Sequence, residues 1–192
     1  MREVRPSCLI LASKSERRQR LLKEIGVDFR VEVTDVDEVC HRRDPHRTVA
    51  ENAVLKARAV MDRNKRATVL AADTVLAFED ECIGKPNSLD EAREILFRLS
   101  GQTHAVLTGV FLAVPDMPPF RVTETSRVTF RALSASDIEA YIATFNPLDK
   151  AGAYDIGTNG DVVVASLAGS RSNVMGLPME RVRVWLHELG MI

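Results

Sequence analysis

Val69-Leu70-Ala71-Ala72-Asp73-Thr74-Val75-Leu76-Ala77-Phe78-Glu79-Asp80-Glu81-Cys82-Ile83 is the stretch that decides the fold class. Val69 to Ala72 is an unbroken apolar run, the signature of a strand covered on both faces, and it is expected to end at Asp73-Thr74. Beyond it, Val75 to Phe78 and Cys82-Ile83 flank Asp80-Glu81, the pattern of a hairpin. A doubly covered strand belongs to a helix-layered sheet, whereas a hairpin adds antiparallel pairs. Together they predict an α/β fold built on a mixed sheet.

The same alternation extends in both directions. Upstream, Cys8-Leu9-Ile10-Leu11-Ala12 reads as a buried strand, and Ser13-Lys14-Ser15 leads into a helix with Leu21, Leu22 and Ile25 on one face, closed by Gly26. Phe29 to Val33 is a second strand, and Thr48 to about Lys65 carries Val49, Ala53, Ala57 and Val60 at helical spacing. Downstream, Ser88 caps a helix to Leu99, with Glu91 completing a capping-box pattern. Thr103 to Val114 and Phe120 to Phe130 read as two long strands, and Ser134 opens a helix to about Thr144. Asp161 to Leu167 is an expected strand and Pro178 to Leu189 a final helix before Gly190.

The chain has 192 residues, 45% hydrophobic and 28% charged, which suits one domain over 1–192 and excludes a disordered, fibrous or coiled-coil protein. No apolar run approaches the roughly 18 residues that span a bilayer, and the five from Cys8 to Ala12 are too few for a leader core. A soluble, cytoplasmic protein without a membrane partner is expected. Three dispersed cysteines, Cys8, Cys40 and Cys82, indicate neither a disulfide framework nor a zinc site. The net charge of -1 argues against holding nucleic acid by bulk attraction. Residues 1–66 nevertheless carry +5 and residues 67–192 carry -6, so cations gather near the N-terminus. They could serve a small anionic ligand or simply solvate a helix surface.

Three constellations can carry chemistry. At Ser13-Lys14-Ser15-Glu16-Arg17-Arg18 a strand passes into a helix, where free N–H groups, the helix dipole and two arginine forks favour an anion. An ordinary capping serine with solvated arginines is the plain alternative. Asp73 closes a hydrophobic run, at a place where a carboxylate can bind a divalent cation or take a proton from water, or merely open a turn. Lys56 and Lys85 stand in apolar surroundings, Lys85 with its backbone constrained by Gly84 and Pro86. Asp35-Val36-Asp37-Glu38 offers loop carboxylates that could complete a metal site with Asp73, or be solvated loop charge. The four histidines, His41, His46, His104 and His187, lack metal-ligand spacing, and there is no Walker-type or GxGxxG glycine loop. Cys82 reads as structural.

These segments fall in the order of a known family. Leu11-Ala12-Ser13 with Arg17-Arg18, Glu51-Asn52-Ala53 with Lys56-Ala57, Ala72-Asp73-Thr74, Gly84-Lys85-Pro86, Leu99 to His104, Pro147 to Tyr154 and Gly176-Leu177-Pro178 resemble the Maf family of nucleoside triphosphate pyrophosphatases. The resemblance implies a mixed, twisted sheet flanked by helices in an elongated, two-lobed domain related to inosine triphosphate pyrophosphatases. It implies cleavage of a nucleoside triphosphate between the α- and β-phosphates, with Mg²⁺ or Mn²⁺, by a homodimer. By motif position it makes Asp73 the catalytic acid/base and Glu38 its metal-side partner. It assigns Ser13, Arg18, Lys56 and Lys85 to the phosphates, and Arg17 and Thr74 to base preference.

Ala151-Gly152-Ala153-Tyr154 looks like the branch acting on dTTP and UTP rather than on 7-methyl-GTP. That branch usually continues Gly-Ile-Gln, with the glutamine associated with base selection, but here the residues are Asp155-Ile156-Gly157. Gly157 has no side chain to offer a base, so weaker discrimination and activity on CTP or modified pyrimidine nucleotides are expected. The competing readings are a nucleotide-binding regulatory module without turnover, a 7-methyl-GTP-type enzyme, and an NTPase that releases orthophosphate. The presence of both Asp73 and Lys85 disfavours the first.

Overall fold

The computed structural model describes residues 8–33 and 35–192, with backbone alone at 158 and 159. The segment Met1 to Ser7, which leads into the apolar run from Cys8 to Ala12, lies outside the described residues. One sheet of seven strands organises the chain: β1 (Leu9–Leu11), β2 (Phe29–Val31), β3 (Thr68–Phe78), β4 (Glu81–Ile83), β5 (Thr103–Ala113), β6 (Phe120–Phe130) and β7 (Val164–Ala168). Their order is β2-β1-β3-β5-β6-β7, with β4 paired to the end of β3. β1 runs parallel to both β2 and β3, while β3, β5, β6 and β7 pair antiparallel in succession. The mixed sheet expected from the hairpins is present.

Helices α1 (Glu16–Glu24), α2 (Pro45–Met61), α3 (Leu89–Leu99), α4 (Ala135–Thr144), α5 (Ile156–Val163), α6 (Arg171–Val174) and α7 (Met179–Glu188) surround it. Ser15, Ser88 and Ser134 cap α1, α3 and α4 through their hydroxyls, satisfying amides that have no partner inside the helix. Among these described residues, no helix is long and apolar enough to cross a membrane.

Strand alternation sorts the core. Leu70, Ala72 and Leu76 of β3 join Leu22, Leu96, Leu99, Phe130, Tyr141 and Leu186 in the larger cluster on one face. Val69 and Ala71 face the other way, onto Ala53, Ala57 and Val60 of α2.

Three expectations need correction. β3 does not end at Asp73-Thr74 but continues as one strand to Phe78, because Asp73 finds donors on α2 and need not leave the sheet. Helix α2 begins at Pro45 rather than Thr48, with Asp44 as its cap and proline in the first turn, where a missing N–H costs nothing. Residues 161–163 are the end of α5 rather than the start of a strand. Asp155 caps that helix by accepting a bond from the Gly157 amide, and β7 starts only at Val164.

Candidate active site

The eight residues singled out from the sequence line one cleft of about 1090 Å³. Asp73 lies at mid-strand, 6% exposed, facing α2. Lys56 Nζ donates to its Oδ1 at 2.6 Å and Asn52 Nδ2 donates to its Oδ2 at 3.0 Å. Lys56 also reaches Glu38 Oε1 at 2.9 Å, so two carboxylates converge on one ammonium. Asn52 and Lys56 are four apart on α2 and therefore share a helix face. Asn52 is itself fixed by Val39, accepting from its amide at 2.8 Å and donating to its carbonyl at 3.0 Å. That pair ties the Glu38 segment to α2.

Asn52 stands in the Glu51-Asn52-Ala53 motif without being among the candidate site residues, yet it lines the same cleft and holds Asp73. Its i, i+4 relation to Lys56 was the available signal. The approach of α2 has a cause in the neighbouring strand. Gly109 is the register partner of Asp73, and a Cβ there would lie 2.4 Å from the Val49 carbonyl oxygen. Only glycine lets the α2 backbone come close enough for Asn52 and Lys56 to reach Asp73.

Thr74, one residue on, points to the opposite face. Arg18 donates from Nη2 to Thr74 Oγ1 at 2.9 Å, from Nη1 to Ser13 Oγ at 3.1 Å and from Nε to the Gly176 carbonyl at 2.7 Å. Burial is the main cause that lowers its pKa to about 10, partly offset by Asp73, so it remains charged near neutrality. Three of five guanidinium donors are engaged, leaving two for an anion. Thr74 Oγ1 also meets Thr108 Oγ1 at 2.9 Å, and Thr108 donates to the Asn173 carbonyl at 2.9 Å.

Arg17 lies within 3.7 Å of Asp155 and 4.0 Å of Asp149 across the cleft. Lys85 stands on the segment after β4. Gly152, at φ +73°, donates its N–H to the Gly84 carbonyl at 3.0 Å and holds that segment in place. Burial lowers the Lys85 pKa, helped by the like charges of Lys14, Arg18 and Lys56 and opposed by Glu38. Cations gathered around one buried carboxylate can take an anion, with the carboxylate available as a general base or a cation ligand.

The donor set suits a hard divalent cation. Glu38 and Asp73 already share a positive charge in the Lys56 ammonium, and Mg²⁺ is commonly held by one or two carboxylates plus substrate phosphates. Among the described residues no group of three or more His, Cys, Asp or Glu could hold a metal, so phosphate and water oxygens would have to complete the shell.

Comparison with known proteins agrees with this chemistry. Residues 8–189 match a family model described as Maf-like protein. The dTTP/UTP pyrophosphatase of Symbiobacterium thermophilum is 44% identical over 183 residues, covering 95% of this chain and 94% of its own. That of Myxococcus xanthus is 44% identical over 184 residues, covering 95% and 93%. Among solved structures, the Staphylococcus aureus Ham1 protein aligns with a TM-score of 0.55 at 19% identity, covering 94% of this chain and 98% of that one. A HAM1 protein from Coxiella burnetii gives 0.54 at 15%, with the same coverage. At such identities the structural likeness is one of fold.

Proposed function

The chain belongs to the Maf-like protein family, and we propose that it hydrolyses a nucleoside triphosphate, dTTP and UTP foremost, to the nucleoside monophosphate and pyrophosphate. The observation that carries this reading is the buried Asp73, held by Asn52 and Lys56, at the centre of a cationic cleft in a chain 44% identical to dTTP/UTP pyrophosphatases.

Water attacks the α-phosphorus, its oxygen forms the new P–O bond, and the bond to the β-phosphate oxygen breaks to release pyrophosphate. Asp73 orients that water and takes its proton. Asn52 keeps the carboxylate aimed by holding Oδ2, leaving lone pairs on both oxygens. Lys56 shifts its ammonium from Glu38 and Asp73 toward a phosphate oxygen as substrate enters. Lys85 and the two spare N–H groups of Arg18 take further oxygens, and Ser13 holds Arg18 in place. Such preorganised donors are each worth about 10²–10³ in rate where charge develops. Glu38 and Asp73 would hold a divalent cation, which when bound neutralises phosphate charge.

The test is a screen of canonical and modified nucleoside triphosphates, with phosphate measured with and without added inorganic pyrophosphatase. The expected result is phosphate only when pyrophosphatase is added. Phosphate released equally without it would make the enzyme an orthophosphate-releasing NTPase, and no product from any nucleotide would favour a binding module.

A further inference from the structure

Gly157 sits in the first turn of α5, its amide bound to Asp155 Oδ1 at 2.8 Å. The sequence alone reads this position as a gap in base selection, but the folded chain fills the gap from another helix. A Cβ at Gly157 would lie 2.9 Å from Arg20 Nη2, 3.1 Å from Asp155 Oδ1 and 3.3 Å from Met175 Cε. The Arg20 guanidinium of α1 thus rests directly against the first turn of α5, where Gly157 leaves it room. Arg17, three residues earlier, faces Asp155 and Asp149, so its charge is already matched. Arg20 differs. Its side chain is half exposed, its ion pair with Glu24 is a loose 3.9 Å contact, and among the described residues its guanidinium makes no hydrogen bond.

Arg20 also lines the cleft, together with Ile156, Val174, Met175 and Gly176. Asp73, Lys56 and Lys85 mark the phosphate end, so a nucleotide with its α-phosphorus at Asp73 extends its sugar and base toward other walls of the same cleft. Val174, partly buried beside the core residues Ile156 and Met175, gives a small apolar wall there, and Arg20 provides free donors beside it.

We infer that Arg20 is a specificity-determining residue that donates to O4 of uracil or thymine or to O6 of guanine. Cytosine and adenine present an amino donor at the equivalent edge, and a guanidinium facing it leaves both groups without an acceptor. This deepens the pyrophosphatase reading and rests on it for the position of the phosphates. It also reverses the expectation of CTP activity, because the position opposite Gly157 is occupied by a donor rather than left empty.

The test compares wild type, Arg20→Ala and Gly157→Ala. It measures kcat/KM for UTP, dTTP, GTP, CTP and ATP, and equilibrium binding of the non-hydrolysable α,β-methylene analogues of UTP and CTP. Arg20→Ala should lower the UTP-to-CTP ratio by about 10-fold or more in both measurements, leaving CTP itself within about threefold. Gly157→Ala keeps Arg20 and asks only the free end of its side chain to give way, so it should lower the ratio by less than Arg20→Ala does. A wild-type ratio near one, or a ratio unchanged in Arg20→Ala while turnover persists, would overturn the inference and leave the pyrophosphatase reading intact. Arg20-dependent preference in analogue binding, with no pyrophosphate from any nucleotide, would do the reverse.

Discussion

Asp73 and Thr74 are neighbours on β3, yet the pleat sends them to opposite faces of the sheet with opposite surroundings. Asp73 meets charged partners that can exchange. The side chains of Lys56 and Glu38 are 15% and 54% exposed, and one ammonium bridges both carboxylates. Thr74 meets a buried network of hydroxyls, carbonyls and one guanidinium, with Thr108 and Asn173 fully buried and Arg18 9% exposed. A charge in partial contact with solvent can change partners when an anionic ligand arrives. A buried hydrogen bond cannot be dropped without leaving a group unsatisfied, at about 1–3 kcal/mol each. One strand thus carries an exchangeable charged cluster on one face and a fixed hydrogen-bonded network on the other. Arg18 is the member of that network with N–H groups to spare for an anion.

The largest effect should come from the side that acts. Asp73→Asn keeps size and shape but removes the charge and turns an amide NH2 toward Asn52 or Lys56. Turnover should fall by at least about 10²-fold in a protein that still folds, with melting lowered by several degrees. Near-normal turnover would erase the distinction between the two faces.

Gly109→Ala attacks the same side without touching a charged group. Its Cβ would collide with the Val49 carbonyl and push α2 outward. Overpacking of this kind costs about 1–3 kcal/mol, and a displacement near 1 Å at a reacting group can cost about 10²-fold in rate. Melting and kcat/KM should fall together. A stability loss with full activity in the folded fraction would mean that Asn52 and Lys56 tolerate a shift of their helix.

Lys85 sharpens the comparison through pH. Its ammonium is charged below its pKa, and burial with neighbouring like charges lowers that pKa from the ordinary 10.5. As pH rises, the charge is therefore lost earlier than on a solvated lysine, and phosphate affinity is lost with it. Wild-type kcat/KM should show an alkaline limb that begins below pH 10.5. Lys85→Ala should reduce kcat/KM by about 10²-fold at neutral pH, as expected for a preorganised donor to a phosphate, and abolish the limb. Lys85→Arg should move the limb upward, because arginine stays protonated. An identical limb in all three proteins would assign it to another group.

Much of this was readable from residue order, and the failures have physical reasons. The apolar run from Cys8 to Ala12, the serine caps of α1, α3 and α4, and the hairpin read at Asp80-Glu81 are local signals, and local signals survive folding. The turn of that hairpin is Glu79-Asp80, because Glu81 joins β4. Asp73 looked like a strand end because a lone carboxylate in an apolar run has no partner within the run. Its partners come from α2, about twenty residues upstream, and a tertiary contact leaves no local trace. Residues 156–163 look unlike a helix because Gly157, Gly160, Val162 and Val163 are poor helix formers. The Asp155 cap and packing of Ile156 and Val163 into the core override propensity there. The eight residues that meet in the cleft were legible because they stand in short motifs that resemble those of a known family, whereas the contacts of Asn52, Thr108 and Arg20 arise from geometry that only the fold creates.

The smallest effect belongs to the face that holds shape, and Thr108→Val isolates it. Thr108 has one hydroxyl hydrogen and gives it to the Asn173 carbonyl, so the Thr74 hydroxyl must donate to Thr108 and in turn accept from Arg18. The bonds therefore run one way, from Arg18 through Thr74 and Thr108 to the segment that carries Gly176. Valine keeps the shape of threonine but removes the middle of that chain. It leaves the Asn173 carbonyl without this donor and the Thr74 hydrogen without an acceptor, at a cost of about 1–3 kcal/mol. Arg18 still has Ser13, Gly176 and the Thr74 oxygen, so the cleft should keep its form. Melting should drop by several degrees while kcat/KM for UTP changes by less than about threefold, a split that follows from lost hydrogen bonds remote from the reacting phosphorus. A rate loss beyond about 10-fold at unchanged melting temperature would place Thr108 among the groups that act on substrate, and the two faces of β3 would no longer divide the work.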